Sequence, residues 1–450
     1  MKKIVWILIG LTALMTACEE HTEVTPSSDA SVTTFALKND SFPNLNKTSF
    51  VVEALSDTGR IYPIDSLSYG IRLDSLVPSI SFGHTPSAAY LVMPDTIVTL
   101  TGSDTLDFSV SPIYLRVVAA DEKTVQVYRV EVYVHNVDPD LYVWECMTDG
   151  ICMPEAAEQK AINLRGEWLF YMNNGSCIKG YHSADTRTWS EQPVSGLPWN
   201  VAISNMVNTN DTLCCAQGTT LYTSSDGFSW HSTDLSGQGY TILSTVASLN
   251  DMTWVLVEED GTETYNLMAV VHGQIISPDG VEWNSVSTDF PVSQSAVVSY
   301  QTQTGQEHVL VAGGYSQTGV MVDGWWNIEC QQVYTGNKQT CHYRLTNYTR
   351  EYASMPASAN MAIVWYNEQL IRCGGMNSNL ETDDNMRSSV DQGISWQDMD
   401  STHCQRPASY EPRFSQSMLT DGEYIYLIGG KNTKKAYTDV YRARLNSILW

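Results

Sequence analysis

Basic residues are scarce in this chain: 25 Lys and Arg stand against 50 Asp and Glu, a formal charge of −25. A polymer this acidic is repelled by nucleic acid and by anionic membrane surfaces, which excludes both as partners. Catalytic signatures are missing too. There is no Gly-x-Ser-x-Gly elbow, no His-Glu-x-x-His helix and no phosphate-cradling glycine loop. No Cys-x-x-Cys occurs and the nine histidines do not sit at metal spacing beside cysteines, so neither a zinc site nor any other cofactor is expected. Long apolar helical patterns are few, while 13 Trp and 24 Tyr favour pleated, half-buried surfaces. The expected class is all-β, and 450 residues at 43% hydrophobic suffice for two or three cores.

The amino terminus carries the most information. Lys2 and Lys3 precede the apolar run from Ile4 to Leu14, and Met15-Thr16-Ala17 lead to Cys18. A basic start, a short apolar stretch and small residues form a secretory signal. The run falls short of the roughly 20 residues that cross a bilayer. The small residues ending at a cysteine resemble the bacterial lipobox, which implies a signal peptide over 1–17 and lipidation of Cys18. Met15 stands where the family usually has leucine. Residues 18–32, rich in Thr and Ser, read as a flexible tether. Glu19 and Glu20 resemble the surface-export signal of Bacteroidetes lipoproteins, which implies the outer face of the outer membrane; read as part of a solvated linker, they leave the cell surface and the periplasmic face both open. Nine cysteines are left after lipidation. The close pairs Cys146/Cys152 and Cys330/Cys341 could bridge in an oxidising envelope, and adjacent Cys214 and Cys215 read as packing residues on opposite faces of a strand.

Residues 33–137 read as one unit of short strands. In Val125 to Val134, apolar Tyr128, Val130, Val132 and Val134 alternate with Arg129, Glu131 and Tyr133, the two-residue period of a half-buried strand. Its segment RVVAADEKTVQVYRVEVYV resembles the closing hairpin of Ig-like modules, which implies a β-sandwich spacer. Asp138-Pro139-Asp140 breaks the pattern and marks a boundary.

From residue 141 to 450 the chain repeats. Ser-x-Asp followed by Trp recurs as SADTRTW (Asp185, Trp189), SSDGFSW (Asp226, Trp230), SPDGVEW (Asp279, Trp283) and SVDQGISW (Asp391, Trp396). An apolar strand ending in two glycines recurs at Gly314, Gly375 and Gly430. Short strands at periods of about 40–60 residues point to a β-propeller. The first element resembles the Asp-box of sialidase-like propellers and the second resembles kelch repeats, best in YIYLIGG with Tyr441 and Trp450. Both imply structure: the Asp and Ser side chains bond turn amides, and the Trp covers apolar surface between blades. Six blades are expected, starting near 157, 197, 240, 295, 358 and 413, with a seventh open if 141–156 contributes to closure.

Sialidase-like propellers include glycosidases, but the Arg-Ile-Pro element of that family is absent and the arginines are scattered. Within the irregular fourth blade, Trp325, Trp326, Tyr334 and Tyr343 either form an aromatic surface that stacks on a sugar or a protein partner, or fill the blade interface. The whole order resembles a group of Bacteroidetes lipoproteins with an Ig-like module and a kelch/Asp-box propeller. The expected role is a lipid-anchored module binding a glycan or an envelope protein. The alternatives are a glycan-processing enzyme using the propeller channel, or a scaffold subunit of an uptake or adhesion complex.

Overall fold

The computed structural model describes residues 25–55, 57–155, 158–335, 338–348 and 356–446. Cys18, the apolar run before it, the start of the tether and Trp450 lie outside the described residues. The described chain divides into two compact units, separating between Pro139 and Asp140.

In the first unit, six strands form one sheet in the order Phe50–Glu53, Gly59–Pro63, Val125–Val130, Ile113–Val118, Ala88–Val92, Ile97–Thr99. Gly59–Pro63 runs parallel to Val125–Val130, and the other neighbours are antiparallel. Val32–Lys38 and Val77–Phe82 pair separately. Phe35, Leu37, Ile61, Leu91, Leu115 and Tyr128 fill a common core, and the Tyr128 hydroxyl accepts the Val32 amide at 3.1 Å, tying the two sheets together. The alternation around Tyr128 is present, with Tyr128 and Val130 buried and Arg129 exposed. The strand ends at Val130, short of the expected Val134. Ile61 pairs with Val130, so the next parallel bond would require an N–H from Pro63, which has none.

The second unit contains, among the described residues, six four-stranded antiparallel sheets. Their innermost strands are Glu158–Leu164, Val207–Thr209, Tyr240–Leu249, Ala296–Gln301, Ala362–Tyr366 and Ser417–Thr420. Each innermost strand touches the next, and the sixth touches the first, so the sheets stand in a closed ring. Tyr142–Thr148 is the outermost strand of the sixth sheet, pairing antiparallel with Ala436–Leu445. The segment left open as a possible seventh repeat therefore locks the two ends of the unit together.

The paired glycines have a specific job in this ring. Gly374 has φ +69° and a Cβ there would overlap the Arg413 carbonyl, at the approach to the sixth sheet. A Cβ on Gly313 would meet the Ser358 carbonyl in the same way, at the approach to the fifth. Each pair lets the next sheet begin against its predecessor, where a side chain would hold them apart.

In the fourth sheet, the described residues from Trp325 to Cys341 lie in two long paired strands, Trp325–Thr335 and Lys338–Asn347, the outer half of that sheet.

Candidate functional site

Three of the four Ser-x-Asp-Trp elements form the same turn between the third and fourth strands of a sheet. Asp226 accepts the amides of Phe228 at 2.8 Å and Ser229 at 2.7 Å, and Ser224 Oγ accepts the Gly227 amide at 2.9 Å. Trp230 Nε1 then donates to Gly227 O at 3.1 Å. Asp185 holds the Arg187 and Thr188 amides, and Asp391 the Ser395 amide, with Trp189 and Trp396 donating to Thr186 O and Gly393 O. Burial opposes ionisation of Asp226, but the Ser229 and Phe228 amides outweigh it and bring its pKa to about 2. The indoles lie against the preceding sheet: Trp230 packs with Leu169 and Tyr171, and Trp396 meets Trp325 at 4.6 Å. These carboxylates are saturated by their own turns.

The third element differs. SPDGVEW follows the fourth strand, Gln274–Ile276, where the other copies sit before it. Among the described residues Asp279 accepts no turn amide, and it is exposed. Gly280 and Glu282 instead bond the backbone of Tyr343 in the fourth sheet, while Trp283 Nε1 reaches Leu267 O at 3.4 Å.

Three of the four rings suggested as an aromatic surface on the fourth sheet are buried. Trp325 is 4% exposed, Trp326 5% and Tyr343 2%. Trp326 packs edge-on against Phe290 at 5.3 Å, and Tyr343 lies 5.2 Å from Trp254 with its hydroxyl bonded by Asn250. Large rings on paired strands are drawn into the spaces between sheets because nothing else fills that volume. Tyr334 belongs to the same strand, but its side chain lies outside the described residues.

The nine described cysteines are free thiols, so neither Cys146/Cys152 nor Cys330/Cys341 is bridged. Cys214 and Cys215 are buried in two different clusters, one on each face of their strand.

The ring encloses a channel. One half, about 470 Å³, is lined by residues from all six innermost strands, with half-buried Trp365 on its wall. Trp365 stacks on Tyr300 at 4.5 Å, and Tyr300 stacks on His308 at 5.2 Å. The other half, about 500 Å³, opens at the starts of these strands, where Asn205, Gln294, Asn360 and Ser415 gather with Glu158 and Lys160. Both volumes fall in the range of roughly 300–1,000 Å³ typical of small-ligand sites.

This mouth is built by repetition. Gln294, Asn360 and Ser415 occupy matching positions before the innermost strands of sheets four, five and six, with φ of 55°, 56° and 55°. The Asn360 amide donates to Gln294 O and the Ser415 amide to Asn360 O, each at 2.8 Å, and Asn360 Nδ2 donates to Gln294 Oε1 at 2.6 Å. Left-handed backbone at three successive rim positions turns these carbonyls to one another and holds the rim rigid. Glu158 accepts the Ser204 amide at 2.8 Å and the Ile203 amide at 3.2 Å. Lys160 Nζ donates to Ser204 O at 3.0 Å, and burial lowers its pKa below the ordinary lysine value.

Sequence reasoning missed this mouth because it followed conspicuous residues, and rim residues are small and polar. A signal existed: Asn360 and Ser415 each lie fifteen residues before the second glycine of the following pair.

Comparison with known proteins agrees with this architecture. The DUF6242 beta propeller domain matches residues 138–450. The N-terminal domain of the same family, a domain of unknown function, matches residues 21–132. No curated protein matches the chain. The solved "Structure of YjhT" is similar at 11% identity and a TM-score of 0.44, over 65% of this chain and 96% of that one. The chain therefore belongs to the DUF6242 family, with an N-terminal DUF6242 domain followed by the family's β-propeller domain.

Proposed function

We propose that this chain is an envelope lipoprotein, anchored through Cys18 to the outer membrane, whose six-bladed propeller binds a glycan in the mouth of its central channel. In this reading each four-stranded sheet is one blade, the Ser-Asp-Trp turns are Asp-boxes, and the glycine pairs are kelch-like elements. The first unit is an Ig-like spacer.

One observation carries the proposal: the channel mouth is a rigid rim of amide and hydroxyl groups. Asn205, Gln294, Asn360 and Ser415 offer donors and acceptors, with Asn360 bonded to Gln294 and the backbones of Gln294, Asn360 and Ser415 tied together, the chemistry that matches sugar hydroxyls. Preorganised polar groups lose little freedom when a ligand arrives, so more of each hydrogen bond is realised as affinity. Glu158 is the one carboxylate among the described residues lining the channel. Its oxygens already accept two backbone amides, which ties the side chain down as an anchor of the rim.

A glycan-array screen with the detergent-solubilised full chain, alongside Asn205→Ala, tests the reading. The expected result is selective binding, weakened about tenfold in the variant, the loss of one or two hydrogen bonds. Selective binding that the variant keeps unchanged would move the site away from the channel. Binding to no glycan would overturn the ligand class and shift attention to an envelope protein partner.

A further inference from the structure

Within the channel mouth the charge runs against the rest of the molecule. The chain as a whole carries −25, yet the described residues around the mouth include two ammonium groups, Lys160 and Lys431, and the single carboxylate of Glu158. Lys160 comes from the first innermost strand and Lys431 from the end of the second strand of the sixth sheet, so adjacent sheets bring them to one opening.

The carboxylate does not cancel this charge by direct contact. Glu158 points its oxygens at the Ile203 and Ser204 amides, and no Glu158–Lys160 ion pair within 4.0 Å forms. The Lys160 ammonium spends one of its three protons on Ser204 O, leaving donor capacity toward the lumen. Lys431 has its backbone tied in both directions to Phe414, which fixes where its side chain starts, and it forms no ion pair among the described residues. A half-buried cation without a paired counter-charge is costly, and an incoming anion relieves that cost where a neutral ligand does not.

Resting on the glycan-binding reading, we propose that the ligand of this mouth is an acidic saccharide, a sugar chain bearing carboxylates, with one carboxylate placed between Lys160 and Lys431 and its hydroxyls on the Asn205–Asn360 rim. The acidic exterior repels polyanions in general, so the saccharide is held by its fit into a local cationic opening and not by long-range attraction. Carboxylate recognition here is by point charges, consistent with lysines in place of an arginine fork.

Isothermal titration of the full chain with oligogalacturonate and with its fully methyl-esterified counterpart separates charge from sugar. The expected result is binding of the acid form with at least tenfold preference over the ester. Lys160→Met and Lys431→Gln should each lose on the order of 10- to 100-fold for the acid, the value of one charge-assisted hydrogen bond, and little for the ester. Thermal melts of both variants report that they are folded. Equal binding of acid and ester would overturn the acidic ligand while leaving a glycan site in place. Binding of neither, together with an empty glycan array, would remove both readings. Acid binding that both variants retain would place the anion elsewhere and overturn the assignment.

Discussion

Arg442 clasps Glu145 across 297 residues of sequence, with Nε at 3.0 Å and Nη2 at 2.8 Å from the same carboxylate oxygen. Glu145 sits on the strand that closes the ring and Arg442 on its neighbour, so this pair bridges the two ends of the propeller unit. Arg187 joins from the first sheet and is the larger influence holding the Glu145 carboxyl below its ordinary 4.5, with Arg442 adding to it against desolvation. As pH falls, the unfolded chain takes up its proton first. The stabilisation is therefore complete above about 4.5 and disappears as pH drops through the lower folded-state value. Glu145→Gln should cost about 0.5–1 kcal/mol at neutral pH, the scale of a partly exposed ion-pair network. Urea titrations at pH 7 and pH 3 should show the variant and parent converging in acid. A gap that stays constant with pH would sink the assignment.

Two aspartates that look equivalent in sequence should behave differently. Asp226→Ala removes the acceptor of the Phe228 and Ser229 amides and orphans them, a loss of about 1–3 kcal/mol. Asp279→Ala removes an exposed carboxylate that holds no turn amide among the described residues, and should fall within about 0.5 kcal/mol of the parent. Urea midpoints of the two variants check this. Equal losses would mean that the third element forms the same turn as the others.

Trp325→Ala should unfold the protein before it affects any ligand. The ring is 4% exposed and packs on Trp396, so truncation should cost about 3–5 kcal/mol. Trp199, 54% exposed, provides the contrast, with Trp199→Ala within about 0.5 kcal/mol. Thermal melts monitored by circular dichroism distinguish the two. A Trp325→Ala protein of parental stability would return that ring to the surface.

What the sequence could reveal follows from how local each signal is. The turn at Asp226 uses residues within six positions, so its chemistry is written in one short string. Gly374 is legible for a similar reason, since a close approach leaves no other residue type. Trp325 was ambiguous because a tryptophan serves both surface and core, and only the position of Trp396, 71 residues later, decides between them. SPDGVEW has the letters of the turn but lies one strand too late, a register that depends on pairing between strands. The channel was illegible because its lining is a few residues from each of six strands. No local pattern announces that Lys160 and Lys431 share an opening.

Lys160→Met should make the protein more stable and less useful. Desolvation is the main cause of the depressed Lys160 pKa, which the neighbouring Cys215 and Glu158 only partly offset. Between that lowered value and the ordinary 10.5, the unfolded chain binds more protons than the folded one. Stability therefore rises with pH across this window, and below it the folded protein carries the full cost of a partly desolvated ammonium. Methionine keeps the length of the side chain without the charge. The variant should melt higher at neutral pH, by about 2–4 °C for each kcal/mol recovered in a unit of this size, and its advantage should shrink as pH climbs toward 10.5. A strained functional group exchanged for a relaxed one commonly trades activity for stability. Thermal melts at pH 7 and pH 10 read the sign directly. A lower melting temperature for Lys160→Met at pH 7 would mean that the Ser204 contact outweighs burial, and that the ammonium is a structural tie and not a charge waiting for a partner.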